Sequence, residues 1–434
     1  MLNFTCEWID RPVETVDAYE STFARFCIKF NDDYLTRILY AGEEERNYIR
    51  ISAYPLAEWI VYNWWALFYE VESPFRDKRD FIFRHSILSG SDGYTLPNLI
   101  FCPHIPNIKI SCIENRKSLS NIVFVNINKE YFVTQEELKE SFTQFILAII
   151  ARLNEKGFTS TILHQRWEAI SSLSSDELEY CKVCGMLGLD PFDIESSLSD
   201  KIIDCYEKIP SSVVVDFFST TSVETLCENS KIVNKFYKTA TPRISILDLE
   251  KFKTKLRQSK RYHSPDKPWK IGYRYARSLR QYFHFKDAKL ASPNVMMQMM
   301  GVEENMFGDI CKTVDYEKIK TVLSSYRTEN RNICFSISKG SLHQQTFYLA
   351  RAIYSHLSSD EPCRMVTQSY TLDQQENRAF AAELIAPARL IKKEIGGAKF
   401  ITSDDVDRIA QDFNVSPQII VHQIQNHFPI EMRQ

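Results

Sequence analysis

The spacing of apolar residues switches between a period of two and a period near four within the first 155 residues, and this narrows the fold class more than any other feature. In ARFCIKF (24–30), Phe26, Ile28 and Phe30 alternate with other positions, as in a half-buried strand. RNYIRIS (46–52) and NIVFVNIN (121–128) alternate in the same way. Between them Pro55 opens a predicted helix with Trp59, Asn63, Trp64 and Leu67 along one side, and SGSDGYTLPN (89–98) is turn chemistry. Thr134 and Glu137 then form a T-x-x-E capping box. The helix it starts carries Leu138, Phe142, Phe145, Ile149 and Leu153 on one face and is predicted to stop near Gly157. Strands mixed with helices in this way predict an α+β N-terminal domain over residues 1–157. Its aromatic clusters could line a ligand pocket, but their spacing is the one that burial in a core demands.

Residues 158–250 read as a helical connecting region with Ser-rich breaks at 171–175 and 196–199 and no internal repeat. The eleven cysteines are odd in number and show no framework spacing, which suits reduced thiols in a cytosolic chain. Cys181 and Cys184 form a lone C-x-x-C. With no second pair at ligand spacing, they are expected to pack on a helix rather than to serve redox or zinc chemistry.

Charge is unevenly distributed. The 434 residues carry a net charge of -3, yet 251–280 holds eleven Lys or Arg against one acid, Asp266. Aromatic residues, among them Tyr262, Trp269, Tyr273 and Tyr275, are interleaved with these cations, a mixture suited to phosphate contacts and base stacking. Lys260, Arg261, Lys270, Arg274, Arg277 and Arg280 are therefore candidate nucleic-acid contacts. The alternative is a solvated helix face balancing the acidic remainder of the chain. No apolar run reaches the roughly 18–20 residues of a spanning helix, and the N-terminus lacks a basic-then-apolar leader pattern. No membrane association and a cytoplasmic location are expected.

Four stretches of the C-terminal half belong together: PWKIGYRYARSLRQYF (268–283), QQTFYLARAIYSHL (344–357), ENRAFAAELIAP (376–387) and VDRIAQDFNVSPQIIVHQIQNH (406–427). Over about residues 269–430, a third of the chain, they resemble the ImmA/IrrE family of metallopeptidase-like regulators. They match its Gly-Tyr-then-basic helix, its metal-binding helix, the Glu-plus-Phe-Ala-Ala helix that follows, and its closing helix-turn-helix-like segment. The resemblance implies a mainly helical, zincin-like domain with a small sheet over 251–400, and a helix-turn-helix-like end over 401–434. It also implies a role in prophage or mobile-element control, stress response or anti-phage defence, with a protein partner.

In a zincin of this type, two His at i and i+4 hold Zn²⁺ on one helix face, Glu at i+1 is the general base, and a further ligand comes from a later helix. Aligned on Phe347, Leu349 and Ala350, this chain has Arg351 at the first His position, Ala352 at the Glu and Ser355 at the second His. Guanidinium offers no lone pair to a metal, and alanine accepts no proton. Glu376 stands at the third-ligand position, while His356 lies one residue past the second, about 100° around the helix. No cofactor is expected, zinc catalysis is expected to be lost, and Arg351 is expected to pair with Glu376. The alternative is a zinc-dependent endopeptidase cleaving a repressor-like protein through a rearranged site of Glu376, His356 and Glu383.

In the last segment Ser403 and Asp404 are predicted to cap a helix bearing Val406, Ile409, Ala410 and Phe413. Ser416 and Pro417 start a second helix with Ile419, Ile420 and Ile424. That second helix has no Lys or Arg, so it is read as a packing or partner-docking element rather than a base-reading one.

Overall fold

A computed structural model describes the chain except residues 12–16, 41–43, 75, 115–121, 260–267, 316–320, 399 and 434, with side chains undescribed also at 257–259 and 268. The described residues fall into two compact units, Met1–Ile203 and Asp204–Gln434. Helix outweighs strand, and the strands gather in several small sheets, so the fold class is α+β.

In the first unit β1 (Leu2–Trp8) runs antiparallel to β2 (Phe23–Phe30), with Leu2 opposite Phe30. On the other side of β2 lies β3 (Ile49–Ser52), with Ile49 opposite Phe26. The alternation in 24–30 is realised: Phe26 and Ile28 are wholly buried. Residues 46–52 are not one strand, because Glu44–Arg46 pairs in a different sheet from Ile49–Ser52. The 121–128 run keeps a strand only over Ile122–Phe124, Asn121 lying outside the described residues. Next come α1 (Tyr54–Tyr62), α2 (Trp64–Tyr69) and α3 (Lys78–His85). Asn63 separates the first two by donating its side-chain amide to the Trp59 carbonyl at 2.9 Å.

A second sheet is built from β4 (Asn98–Pro103), β5 (Asn107–Ile113) and β6 (Lys129–Thr134), with β5 in the middle. The chain leaves β6 directly into α4 (Gln135–Glu155). The capping box forms as read: Glu137 N donates to Thr134 Oγ1 at 3.1 Å and Thr134 N to Glu137 Oε2 at 2.9 Å. Leu138, Phe142, Phe145, Ile149 and Leu153 are all buried. The Phe4 ring from β1 sits 5.5 Å from Phe142 and 5.3 Å from Phe145, joining sheet to helix.

The 158–250 stretch is helical, and Cys181 and Cys184 are buried on α5 (Ser175–Met186). The serines at 171–175 do mark a break, with Ser174 capping α5. Those at 196–199 open the helix Ser196–Lys208 instead. Serine serves the exposed backbone donors of a first turn as readily as it serves a loop.

In the second unit, α6 (Leu247–Ser259) and α7 (Pro268–Tyr282) precede a four-stranded sheet. Its strands are β7 (Cys311–Val314), β8 (Val322–Arg327), β9 (Asn332–Ser338) and β10 (Cys363–Val366), in the order β7-β9-β8-β10. α8 (Leu342–Ser358) follows β9, and α9 (Leu372–Ile385) follows β10. α9 lies between α8 and α7. A Cβ added at Gly272 of α7 would stand 2.3 Å from the Glu376 carbonyl oxygen and 2.8 Å from the Phe380 nitrogen, both backbone atoms of α9. That close approach gives the Gly-Tyr pair of this helix a physical reason. Gly272→Ala is therefore expected to destabilise the unit by about 1–3 kcal/mol, since overpacking outweighs the roughly 1 kcal/mol gained in helix propensity. Denaturant titration checks this; an unchanged or higher midpoint would refute the tight seam.

α10 (Ala388–Ile395), α11 (Ser403–Phe413) and α12 (Pro417–His427) follow, and the short strands Phe400–Thr402 and Glu431–Arg433 pair in parallel beside them. The N-cap of α11 is Thr402, in reciprocal bonds with Asp405, one residue before the predicted Ser403 and Asp404. Ser416 and Pro417 start α12 as read, and Ile420 and Ile424 are buried while Ile419 is only half-buried.

Candidate functional site

The position that the family resemblance would give to a metal ion lies where α8, α9 and the end of β10 meet. Arg351 on α8 is among the largest fully enclosed side chains of the protein. Its Nε donates to Asn377 Oδ1 at 2.6 Å, and its Nη2 donates to Gln374 Oε1 at 2.8 Å and to the Thr367 carbonyl. Gln374 also accepts from Thr367 N at 2.9 Å and donates to Asp216 Oδ1 at 2.9 Å and the Met365 carbonyl at 2.9 Å. A continuous polar relay thus runs from Arg351 through Gln374 to Asp216. Burial, then the neighbouring Arg378 cation, pushes Arg351 down from its usual very high pKa, opposed by Tyr348 and Asp216. Guanidinium still carries its charge under such pressure. Asp216 is pushed up to about 7 by burial and then by the charge of Asp373.

The expected Arg351–Glu376 pair does not form. Successive helix residues are rotated by about 100°, so Gln374 and Asn377, three apart, face Arg351 while Glu376 faces another way. Glu376 accepts instead from Tyr354, whose hydroxyl burial and this carboxylate push toward higher pKa. Two neutral amides and a carbonyl therefore hold the cation, and among the described residues no carboxylate makes an ion pair with it. Ala352 is wholly buried, and Ser355 lines a cavity of about 10 Å³ with Asp216, Tyr354 and Asp373. That volume suits one water.

The remaining candidates are taken up separately. His356 points to α6, with Nε2 2.6 Å from Glu250 Oε1, and burial lowers its pKa against the opposing pull of that carboxylate. Glu383 accepts from Arg277 Nε at 2.8 Å, Gln423 Nε2 at 3.0 Å and Ala388 N at 3.2 Å, tying α9 to α7, α12 and α10. The rearranged set of Glu376, His356 and Glu383 is thus not assembled. Among the described residues, no three His, Cys, Asp or Glu side chains converge as metal ligands. A zinc ion of the zincin type does not fit the residues present.

Of the nucleic-acid candidates, Lys260 and Arg261 lie outside the described residues. Lys270, Arg274 and Arg277 are exposed on α7. Arg280 is not a surface cation: it is buried, and its guanidinium donates to the carbonyls of Leu384, Lys286 and Ala288.

The first unit holds a buried constellation with no counterpart in the sequence reading. Glu70, wholly enclosed, takes a bidentate pair from Arg84 at 2.7 and 2.6 Å and lies 3.1 Å from His85 Nε2. His85 Nδ1 stands 2.6 Å from the Phe101 carbonyl. Both ring nitrogens thus face oxygen acceptors. Burial would raise Glu70, but Arg84 and His85 outweigh it and hold the carboxyl at about 2.

No family model, curated protein or solved structure gives a significant match to this chain. Among the described residues no helix is long and apolar enough to cross a membrane.

Proposed function

We propose that the second unit is a catalytically silent relative of the ImmA/IrrE metallopeptidase-like regulators, acting as a regulatory or protein-interaction component in the cytoplasm. The resemblance of the four quoted segments suggests prophage or mobile-element control, stress response or anti-phage defence as its setting. One observation carries the loss of chemistry: Arg351, at the position of the first ligand, is enclosed and bonded to Asn377, Gln374 and Thr367. A fixed organic cation joins the two helices that a metal ion would otherwise join, so the frame keeps its rigidity without a Lewis acid or a base. The alternative of an active zinc endopeptidase has its candidate residues already committed to other partners.

The test is elemental analysis of protein produced with zinc and purified without chelator, beside affinity capture from the native host. The expected result is substoichiometric zinc, no proteolysis of captured protein, and a specific partner retained. One zinc per chain, removed together with a cleavage activity, would overturn the reading.

A further inference from the structure

A cavity of about 530 Å³ opens to solvent on one side between α7, α9 and the start of α10, away from the zincin-like position. Its lining includes four cations, Arg277, Arg280, Lys286 and Arg389, against one carboxylate, Glu383. That carboxylate shows what the wall recognises: a side-chain guanidinium and a backbone amide in the first turn of α10 already hold anionic oxygens there. Capacity remains. Arg277 commits only Nε to Glu383 and stays 53% exposed. Lys286 and the imidazole of His284 are exposed, and the described residues give neither side chain a hydrogen bond or ion pair. At the rim Arg389 shares Asp287 with Lys393, so that acid faces two cations.

The loop along the recess has a constrained backbone. His284 and Lys286 both adopt positive φ, 55° and 41°, which side chains other than glycine rarely accept. Arg280 sustains that loop by donating Nη2 to the Lys286 and Ala288 carbonyls at 3.1 and 2.8 Å. Left-handed residues persist where surroundings over-determine them, and such places cluster at ligand clamps.

We infer that this recess binds a small phosphorylated polyanion of nucleotide size, with Lys286, Arg277 and Arg389 on the phosphates. The volume lies within the range of ordinary small-molecule sites. Cations ringing a recess suit a compact polyanion, whereas a duplex presents its phosphates along an extended line. The inference does not depend on the peptidase-like reading.

Calorimetric titration of the full chain with ATP and with pyrophosphate, in EDTA, tests it. Saturable binding of one ATP per chain, displaced by pyrophosphate, is expected. Lys286→Glu is expected to weaken it by about tenfold or more and Lys286→Gln by less, both with the unliganded melting temperature unchanged. Lys286 is exposed and, among the described residues, its side chain makes no hydrogen bond or ion pair, so both variants should fold. Absence of saturable binding, equal binding by both variants, or ATP that pyrophosphate fails to displace would each overturn the inference. So would generic duplex DNA that binds with sensitivity to Lys286→Glu when neither phosphate probe does; the recess would then be a nucleic-acid surface.

Discussion

Arg351→Met is expected to lower the stability of the second unit by about 3–5 kcal/mol. Methionine approximates the length of the arginine stem, so most of the loss is polar. Three hydrogen bonds from a charged donor disappear, each worth about 1.5–3 kcal/mol net of exchange with water. The acceptors fare unequally. Gln374 Oε1 keeps Thr367 N and Asn377 Nδ2, whereas Asn377 Oδ1 and the Thr367 carbonyl lose the guanidinium in a buried setting. Two effects work in the other direction, namely relief from burying a cation and relief from its neighbour Arg378. They bring the total below the sum of the three bonds without reversing its sign. Amide hydrogen exchange is the suitable readout, because it assigns the loss to place. Protection should fall in α8 and α9 and stay unchanged in α4 of the first unit. Unchanged protection throughout would mean that the guanidinium does not hold the two helices together.

Glu70→Gln is the second large effect, about 3–5 kcal/mol near neutral pH and confined to the first unit. The substitution keeps shape but removes the carboxylate that, among the described residues, alone is bonded to Arg84 and His85, and it turns an amide donor toward their donors. The same physics sets a pH dependence. Glu70 is held at about 2 against an ordinary 4.5, so the folded state binds its proton less readily than the unfolded state does. Its contribution is complete above about 4.5 and is lost as pH falls from there toward 2. The native chain should therefore lose stability across that window more steeply than Glu70→Gln does. Parallel curves in denaturant melts at pH 5 and pH 3 would show that the carboxylate does not carry this term.

What could be read in advance was local. The Thr134–Glu137 box and the face from Leu138 to Leu153 depend on residues three and four apart, and they form as the spacing dictates. The alternation of Phe26 and Ile28, and the Ser416–Pro417 start of α12, are legible for the same reason. That Arg351 stands where the resemblance would put a ligand was also readable, but not its partners. Which residue of α9 meets it depends on the rotation of one helix against another, and a single step of 100° exchanged Glu376 for Asn377. Polar Gln374 and Asn377, three apart on the buried side of α9, were the available signal. His356 finds Glu250 106 residues away, and Arg280 turns inward to carbonyls, neither of which leaves a periodic trace. Glu70 with Arg84 and His85 is equally silent in sequence, since Glu70 ends one helix and its partners lie on another, and no periodicity within either says that the two will meet.

The peptidase-like resemblance begins near residue 269, yet the domain does not. β10 is an outermost strand, and its carbonyls at Cys363 and Arg364 are covered by the hydroxyls of Ser212 and Tyr237. Asp216, from the same upstream stretch, terminates the relay that starts at Arg351. A fragment cut at 251 would strip that covering, leaving a bare strand available for pairing with other chains and Gln374 without its outer acceptor. Any autonomous form of this half must start upstream of Ser212.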